Sequence, residues 1–201
     1  MHETVHAAAP FVLRWVALIP IIPLLISLVI LLGFKEDKDS KGPYLGIAAM
    51  FWCFIQSVAI FAGVANGSSH LPHEGTMNWL TMAADAAGKA FAWDMKIGVL
   101  IDGPAAVMLV VVTFVSLLVQ IYSLAYMHGD PRFKRYYAYL SFFTAAMLGL
   151  VVSNNLLITF ACWELVGVSS YLLIGFWFEK KGPPYASKKA FMTTKLGDCG
   201  F

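Results

Sequence analysis

The chain has 201 residues, of which 59% are hydrophobic and only 13% are charged. A soluble domain carries roughly 25% charged residues, so this composition indicates a membrane protein. The net charge is +2 and the basic residues are dispersed between apolar segments, which argues against nucleic acid as a partner. The three cysteines and five histidines show no metal-ligand spacing, so we predict no metal site.

Five apolar segments are long enough to cross the hydrocarbon core of a bilayer, which takes roughly 20 residues of helix. A sixth helix is predicted to begin near Ala186 and to be cut off at Phe201, so we interpret the chain as the N-terminal part of a longer protein. The predicted fold class is an all-α polytopic membrane protein with five complete transmembrane helices and the start of a sixth. The five complete segments are residues 11–33, 44–66, 103–127, 136–153 and 156–178.

The orientation follows from the basic residues of the short loops, because cytoplasmic loops carry an excess of Lys and Arg. Residues 34–43, 128–135 and 179–189 together hold ten Lys and Arg, whereas the opposite side holds three. We therefore expect these three loops to face the cytoplasm and the N-terminus to lie on the outer side.

The outer segment 67–102 is too polar to span a membrane, and its last part alternates apolar residues with smaller or polar ones. This alternation predicts a short strand or hairpin on the outer face of the helices. An interfacial amphipathic helix over residues 77–93 remains the alternative. The alternating apolar residues are Phe91, Trp93, Met95, Ile97 and Val99.

Polar residues mark several helix boundaries. Asp102, followed by Gly103 and Pro104, has the pattern of an N-cap with proline in the first turn. The pair Asn154 and Asn155 predicts the tight turn between the fourth and fifth helices. Ser187 is placed to cap the sixth helix.

Three ionisable side chains lie inside predicted membrane helices, namely Glu164, Lys195 and Asp198. Such residues cost a few kcal/mol even on lenient insertion scales, and are therefore functional candidates. Glu164 follows Leu156 by eight residues, which puts it roughly 12 Å into the fifth helix. A carboxyl group at that depth is ionised only beside a cation or water, so it can exchange a proton when the cation moves. This is the physical basis of a proton relay.

Simpler roles exist for the same residues. Glu164 could merely form a hydrogen bond across a helix interface, although a glutamine would do so at a lower cost. Lys195 and Asp198 are three residues apart, hence on one helix face, and can pair with each other. They are therefore either a self-satisfied ion pair or part of a proton path.

The run LITFACWELVGVSSYLLIGF, residues 157–176, closely resembles the fifth-helix motif of the L-type antiporter-like subunit of respiratory complex I. Four further segments match that family in the same order and spacing. They are LIDGPAAVML at 100–109, YSLAYMHGD at 122–130, YAYLSFFTAAMLGLVVSNNLL at 137–157 and KKAFMTTKLGD at 188–198.

The resemblance implies an antiporter-like helical bundle that translocates protons within an NADH:quinone oxidoreductase. It gives Glu164 the role of the proton-relay carboxylate, paired with a lysine on a seventh helix that this sequence lacks. Lys195 and Asp198 match a basic residue and an aspartate near the sixth helix, and are assigned to the proton path. Residues 1–101 would form helices 1 and 2 with the outer segment, and residues 102–201 the start of the proton-translocating core.

The resemblance also implies that the chain binds no cofactor itself. NADH, FMN, iron–sulfur clusters and quinone would be bound by partner subunits of the membrane and hydrophilic arms, and this chain would lie in the lipid bilayer of an inner, energy-transducing membrane. One alternative is the large subunit of a multisubunit Na+/H+ antiporter, which shares the Trp-Glu motif, but the sequence from Val166 to Tyr171 favours complex I. The other is a structural membrane subunit that does not pump.

Overall fold

A computed structural model describes residues 15–33, 41–66, 72–81 and 94–200 of the chain. Helices dominate this part, as expected for an all-α polytopic membrane protein, and the one sheet within it is a two-stranded hairpin. The elements in chain order are α1 (Leu18–Gly33), α2 (Gly42–Ala65), β1 (His73–Thr81), β2 (Asp94–Ile101), α3 (Gly103–Tyr126), α4 (Phe133–Val152), α5 (Leu156–Ile174) and α6 (Gly182–Asp198).

Four of the five predicted spans are complete within the described residues. Helices α2, α3, α4 and α5 are long and apolar enough to cross a membrane, whereas α1 is apolar but has only 16 residues. Residues 11–14, the beginning of the first predicted span, lie outside the described residues. The structure therefore supports four full spans, with α1 as a shorter apolar helix beside them.

Helix α6 begins at Gly182, earlier than the predicted start near Ala186. Pro183 and Pro184 fall in its first turn, where backbone N–H groups have no intrahelical acceptor and proline is tolerated. The prediction that Ser187 caps the helix is wrong, because this residue lies inside α6 and its hydroxyl donates to the Pro184 carbonyl at 3.1 Å.

The predicted cap at Asp102 is confirmed, and the predicted turn at Asn154 and Asn155 also supplies a cap that the sequence did not predict. A side-chain oxygen of Asp102 accepts a hydrogen bond from the backbone N–H of Ala105 at 2.8 Å and begins α3. Asn155 does the same for Leu157 at 2.9 Å and begins α5. Each side chain thus satisfies a free N–H group of a first turn.

The predicted hairpin is also confirmed. Strands β1 and β2 are antiparallel, with His73 opposite Ile101 and Thr81 opposite Asp94, and the register shifts between Asn78 and Leu80. The alternative of a helix over residues 77–93 is therefore wrong for residues 77–81. Residues 82–93 lie outside the described part of the chain.

Helix α4 occupies the centre of the bundle and contacts α1, α2, α3 and α5. Eleven of its residues are buried, whereas Ser169 alone is buried in α5. Helix α5 packs on one side of α4, and α6 packs on α5. The last two helices thus form the edge of the described bundle.

Contacts between loops define the two ends of the bundle. At one end, Val99 of β2 forms a β-bridge with Ser153, and the amide of Asn154 donates to Glu74 at 3.0 Å. At the other end, the Trp177 indole donates to Asp130 at 3.1 Å. The hairpin and the α4–α5 turn therefore share one end, and the basic loops after α3 and α5 share the other.

Gly98 lets the hairpin approach the α4–α5 turn closely. A Cβ atom at this position would lie 2.7 Å from the Asn154 side-chain nitrogen and would also overlap the Gly75 carbonyl. We expect Gly98→Ala to disrupt the pairing of β1 with β2 and to displace the Asn154 side chain, and so to increase proteolytic cleavage of the hairpin in membranes and lower the yield of assembled protein. Gly75→Ala is the matched control, because its Cβ would only touch Val99 at 3.6 Å. Equal effects of the two substitutions would contradict this explanation.

Candidate functional site

The candidate site begins with Glu164, which lies in the middle of α5. The helix runs from Leu156 to Ile174, so both of its ends are more than two turns away from this carboxyl group. The side chain is 29% exposed within the described chain. Glu164 therefore lies well inside an apolar helix, as the sequence predicts.

Helix α6 turns back along α5 and brings its last turn to the level of Glu164. Close contact near the connection makes this possible, because a Cβ on Gly175 would lie 3.0 Å from the Ser187 hydroxyl. Further along, the rings of Tyr171 and Phe191 pack with centroids 5.4 Å apart. Small residues and ring packing hold the two helices close enough for side chains to pair across the interface.

Lys195 pairs with two carboxylates at once. Its ammonium group forms an ion pair with Glu164 on α5 and a second one with Asp198 on its own helix, at 3.2 Å. It also lies 5.3 Å from the centroid of the Phe191 ring, within the range of a cation–π contact. The structure thus brings the three predicted residues Glu164, Lys195 and Asp198 together, and we call them the acid–lysine cluster.

The indole of Trp163 completes this arrangement by donating a hydrogen bond to Asp198 at 2.8 Å. From the sequence, Trp163 was known only as the tryptophan of the Trp-Glu motif. Its need for a partner was the available signal, since an indole N–H in an apolar environment usually finds an acceptor. The bond joins α5 and α6 through the Asp198 oxygen that does not contact Lys195.

The cluster has an excess of negative groups over positive ones. Two carboxyl groups share the single ammonium of Lys195, and Asp198 is the more buried of the two acids, with 12% of its side chain exposed. In a medium of low dielectric, one cation does not fully stabilise two anions. The arrangement is therefore suited to binding and releasing a proton.

A cleft of about 130 Å³ lies beside the cluster, between α5 and α6. Ser170 and Thr194 line it, and each hydroxyl donates to a carbonyl of its own helix, which leaves its oxygen able to accept from water. Gly167 also lines the cleft, and the space beside it is open, because a Cβ at this position would meet nothing within 4 Å. A cleft of this size has room for a few water molecules, because each takes up about 30 Å³ in the liquid.

The sequence did not predict the pairing of Glu164 with Lys195. It left Lys195 and Asp198 as either a local ion pair or part of a proton path, and the resemblance implied that the partner of Glu164 is a lysine on a seventh helix. The structure gives Glu164 a cation within the described chain. Among the described residues, no group of three or more His, Cys, Asp or Glu side chains is placed to hold a metal ion.

Two protein-family models match the chain. One, described as the N-terminus of NADH-ubiquinone oxidoreductase (complex I) chain 5, matches residues 90–137. The other, described as the transmembrane region of NADH:quinone oxidoreductase and Mrp antiporters, matches residues 153–201 and includes the acid–lysine cluster.

Individual proteins agree with these matches. The chain is 40% identical to NAD(P)H-quinone oxidoreductase subunit 5 of the Chlorokybus atmophyticus chloroplast, over 94% of this chain and 28% of that protein. It is 43% identical to F(420)H(2) dehydrogenase subunit L of Methanosarcina mazei, over 92% of this chain and 25% of that protein. A subunit of an archaeal membrane-bound sulfane sulfur reductase has a similar fold, with a TM-score of 0.65 and 14% identity over 92% of this chain and 34% of that one.

The chain spans between a quarter and a third of the length of these curated relatives. Its apolar helices agree with the transmembrane region that the second family model describes. The chain therefore belongs to the family of complex I chain 5, or L, the antiporter-like membrane subunits of quinone oxidoreductases.

Proposed function

We propose that this chain forms part of a proton-translocating membrane subunit of an NADH:quinone oxidoreductase. The observation that carries the proposal is the pairing of Glu164, in the middle of a membrane helix, with Lys195 on the neighbouring helix. An ion pair in that position is expensive to bury, and such groups in membrane proteins commonly belong to proton and ion pathways.

The proton transfer would depend on the position of the ammonium group. Lys195 contacts Glu164 and Asp198 together, and its flexible stem allows the ammonium to move from one carboxylate toward the other. While the cation is near, Glu164 is stable as a carboxylate. When the cation withdraws, burial favours the neutral acid, and Glu164 takes a proton from the water of the adjacent cleft. The lysine that the resemblance implies on a seventh helix would receive the proton next.

The redox chemistry would take place in partner subunits. The relatives are named after different electron donors, NAD(P)H in one case and F(420)H(2) in the other, although both align with this chain. A membrane subunit common to such complexes is suited to the shared proton-transfer step. We therefore assign NADH, FMN, iron–sulfur clusters and quinone to the hydrophilic arm and the neighbouring membrane subunits.

The arrangement in the membrane is part of the same proposal. Residues 1–101 supply helices and the outer hairpin, and residues 102–201 begin the proton-translocating core. The basic loops after α3 and α5 would face the cytoplasm of a cell whose inner membrane holds the complex, and the hairpin and the N-terminus would face outward. The shared end of the two basic loops, joined through Asp130 and Trp177, supports this orientation.

A multisubunit Na+/H+ antiporter is the second candidate, because the model that matches residues 153–201 also covers Mrp antiporters. The match of residues 90–137 to complex I chain 5 favours the oxidoreductase. The partners that co-purify with the native protein distinguish the two. Hydrophilic redox subunits support our proposal, and cation-antiporter subunits contradict it.

Glu164→Gln should abolish proton transfer while the complex still assembles, because the amide keeps the size and hydrogen bonding of the acid but cannot titrate. The measurement is proton uptake by vesicles during quinone-linked NADH oxidation, together with the oxidation rate, which should also fall if coupling is tight. Glu164→Asp should keep part of the activity. Glu179→Gln is the control, since Glu179 is a largely exposed acid that pairs with Arg132 at the end of the bundle. Normal pumping by the Glu164→Gln enzyme would leave only a structural role for this residue.

Asp198→Asn should reduce the rate of proton transfer only in part, since the amide oxygen still accepts from Trp163 and Lys195 keeps its contact with Glu164. Lys195→Gln should reduce the rate more, because it removes the cation that touches both acids. The initial rate of proton uptake at equal amounts of assembled complex measures both effects. Complete loss of pumping in Asp198→Asn would mean that Asp198 itself is an essential proton carrier.

The orientation can be measured by cysteine labelling in a variant that lacks the native cysteines. Lys41 directly precedes α2 and Thr76 lies in the hairpin that follows it, and both are exposed, so each can be replaced by cysteine with little disturbance of the bundle. We expect Lys41→Cys to react with an impermeant maleimide only from the cytoplasmic side, and Thr76→Cys only from the outer side. The reverse pattern would overturn the proposed orientation.

A further inference from the structure

A row of polar side chains runs along the interface of α3 and α4, away from the acid–lysine cluster. At one end, the hydroxyls of Ser123 and Tyr136 are 3.2 Å apart. Toward the other end, Thr144 donates to Ser116 at 3.2 Å. In each pair the two hydroxyl groups are hydrogen-bonded to each other, so the polar groups at both ends of the row have partners within the bundle.

The middle of the row is not satisfied in this way. Gln120 is 0% exposed and Ser141 is 1% exposed. Within the described residues, neither the amide oxygen and nitrogen of Gln120 nor the hydroxyl of Ser141 has a hydrogen-bond partner. A buried polar atom without a partner costs about 1–3 kcal/mol, and such atoms in proteins are nearly always bonded to a side chain or to ordered water.

Gly46 of α2 provides space at this point. A Cβ atom there would lie 3.4 Å from the Ser141 hydroxyl oxygen and 3.6 Å from the Gln120 amide oxygen. The same point is 3.6 Å from Ile30 of α1, so α1, α2, α3 and α4 meet around it. The absence of a side chain at Gly46 therefore leaves two unpaired polar groups facing one small space.

We propose that Gln120 and Ser141 bind an ordered water molecule beside Gly46, at the junction of α1, α2, α3 and α4. The water donates to the Gln120 amide oxygen and accepts from the Ser141 hydroxyl. It then links α3 to α4 at the middle of the row, between the two paired ends. The groups that face it are neutral and few, which suits water rather than a metal cation, because a cation needs several oxygen ligands.

The backbone near the site has its own partners, which strengthens the assignment to the two side chains. The hydroxyl of Tyr137 donates to the Gln120 carbonyl at 2.5 Å and fixes α4 against α3. Tyr137 is itself fully buried. Gln120 is therefore anchored through its backbone, and its amide group is free to hold the water. This water site is independent of the proton-transfer role of Glu164.

The test is a high-resolution cryo-EM map of the assembled complex. We expect a density peak within roughly 3.2 Å of both the Gln120 amide oxygen and the Ser141 hydroxyl, which is the usual limit for a hydrogen bond. The peak should be absent in a Gln120→Met variant. A direct hydrogen bond between Gln120 and Ser141, with no peak between them, would overturn the proposal.

A thermodynamic cycle tests the same site without a map. Gly46→Ala should lower the thermal midpoint of the complex in the wild-type background, because the methyl group takes the place of the water and leaves both polar groups unpaired. It should have a smaller effect in the background Gln120→Met with Ser141→Ala, where no polar group needs the water. An equal loss in both backgrounds would mean simple overpacking and would contradict the site.

Thr113→Val serves as the matched control on the same helix. Thr113 is also 0% exposed, but its hydroxyl already donates to the Leu109 carbonyl at 2.7 Å. Its replacement should not change the effect of Gly46→Ala. If Thr113→Val reduced the effect of Gly46→Ala on the thermal midpoint as much as Gln120→Met with Ser141→Ala does, the cycle would report a general loosening of α3 and not the loss of the water.

Discussion

A polar side chain that is buried among apolar helices needs a partner, because hydrocarbon offers none, and this constraint governs most of the structure. Hydroxyl groups meet it locally. Ser57 donates to Cys53 at 2.9 Å, and Ser123 donates to Val119 at 2.7 Å, each one turn back on its own helix. Longer polar side chains can also reach a neighbouring helix. Glu164, Lys195 and Tyr137 therefore fix which helices are neighbours and at what height they pair.

The central position of α4 has a consequence for the acid–lysine cluster. Because α4 is surrounded, α5 and α6 lie at the edge of the described bundle, and their apolar faces are exposed in it. Trp163 is 47% exposed and Leu196 is 74% exposed. Apolar faces of this extent suit lipid or further membrane helices. In the proposed function, a site at such an edge would take a proton from the cleft between α5 and α6 and exchange it with a group outside the described bundle.

The two ends of the bundle are held by different interactions. At the hairpin end, main-chain pairing and the Asn154 amide connect β1 and β2 to the start of α5, the helix that carries Glu164. At the other end, the guanidinium of Arg132 lies 4.6 Å from the Phe178 ring and pairs with Glu179 at 3.4 Å. Both ends of α5 are thus tied to other loops, which limits its sliding relative to α4 and keeps Glu164 at a fixed depth.

The sequence by itself determined the membrane class, the helices from α2 to α5, the strands of the hairpin, the cap at Asp102 and the turn at Asn154 and Asn155. These features depend on local composition, periodicity and turn chemistry, which adjacent residues specify. The sequence also identified Glu164, Lys195 and Asp198, since an ionisable residue in an apolar helix is conspicuous wherever the helix packs. Only the tertiary structure decided that Lys195 pairs with Glu164, that Trp163 binds Asp198, and that Gln120 and Ser141 meet at Gly46. Helix packing brings together residues that are far apart in the chain, and no local pattern encodes the height and rotation at which two helices meet.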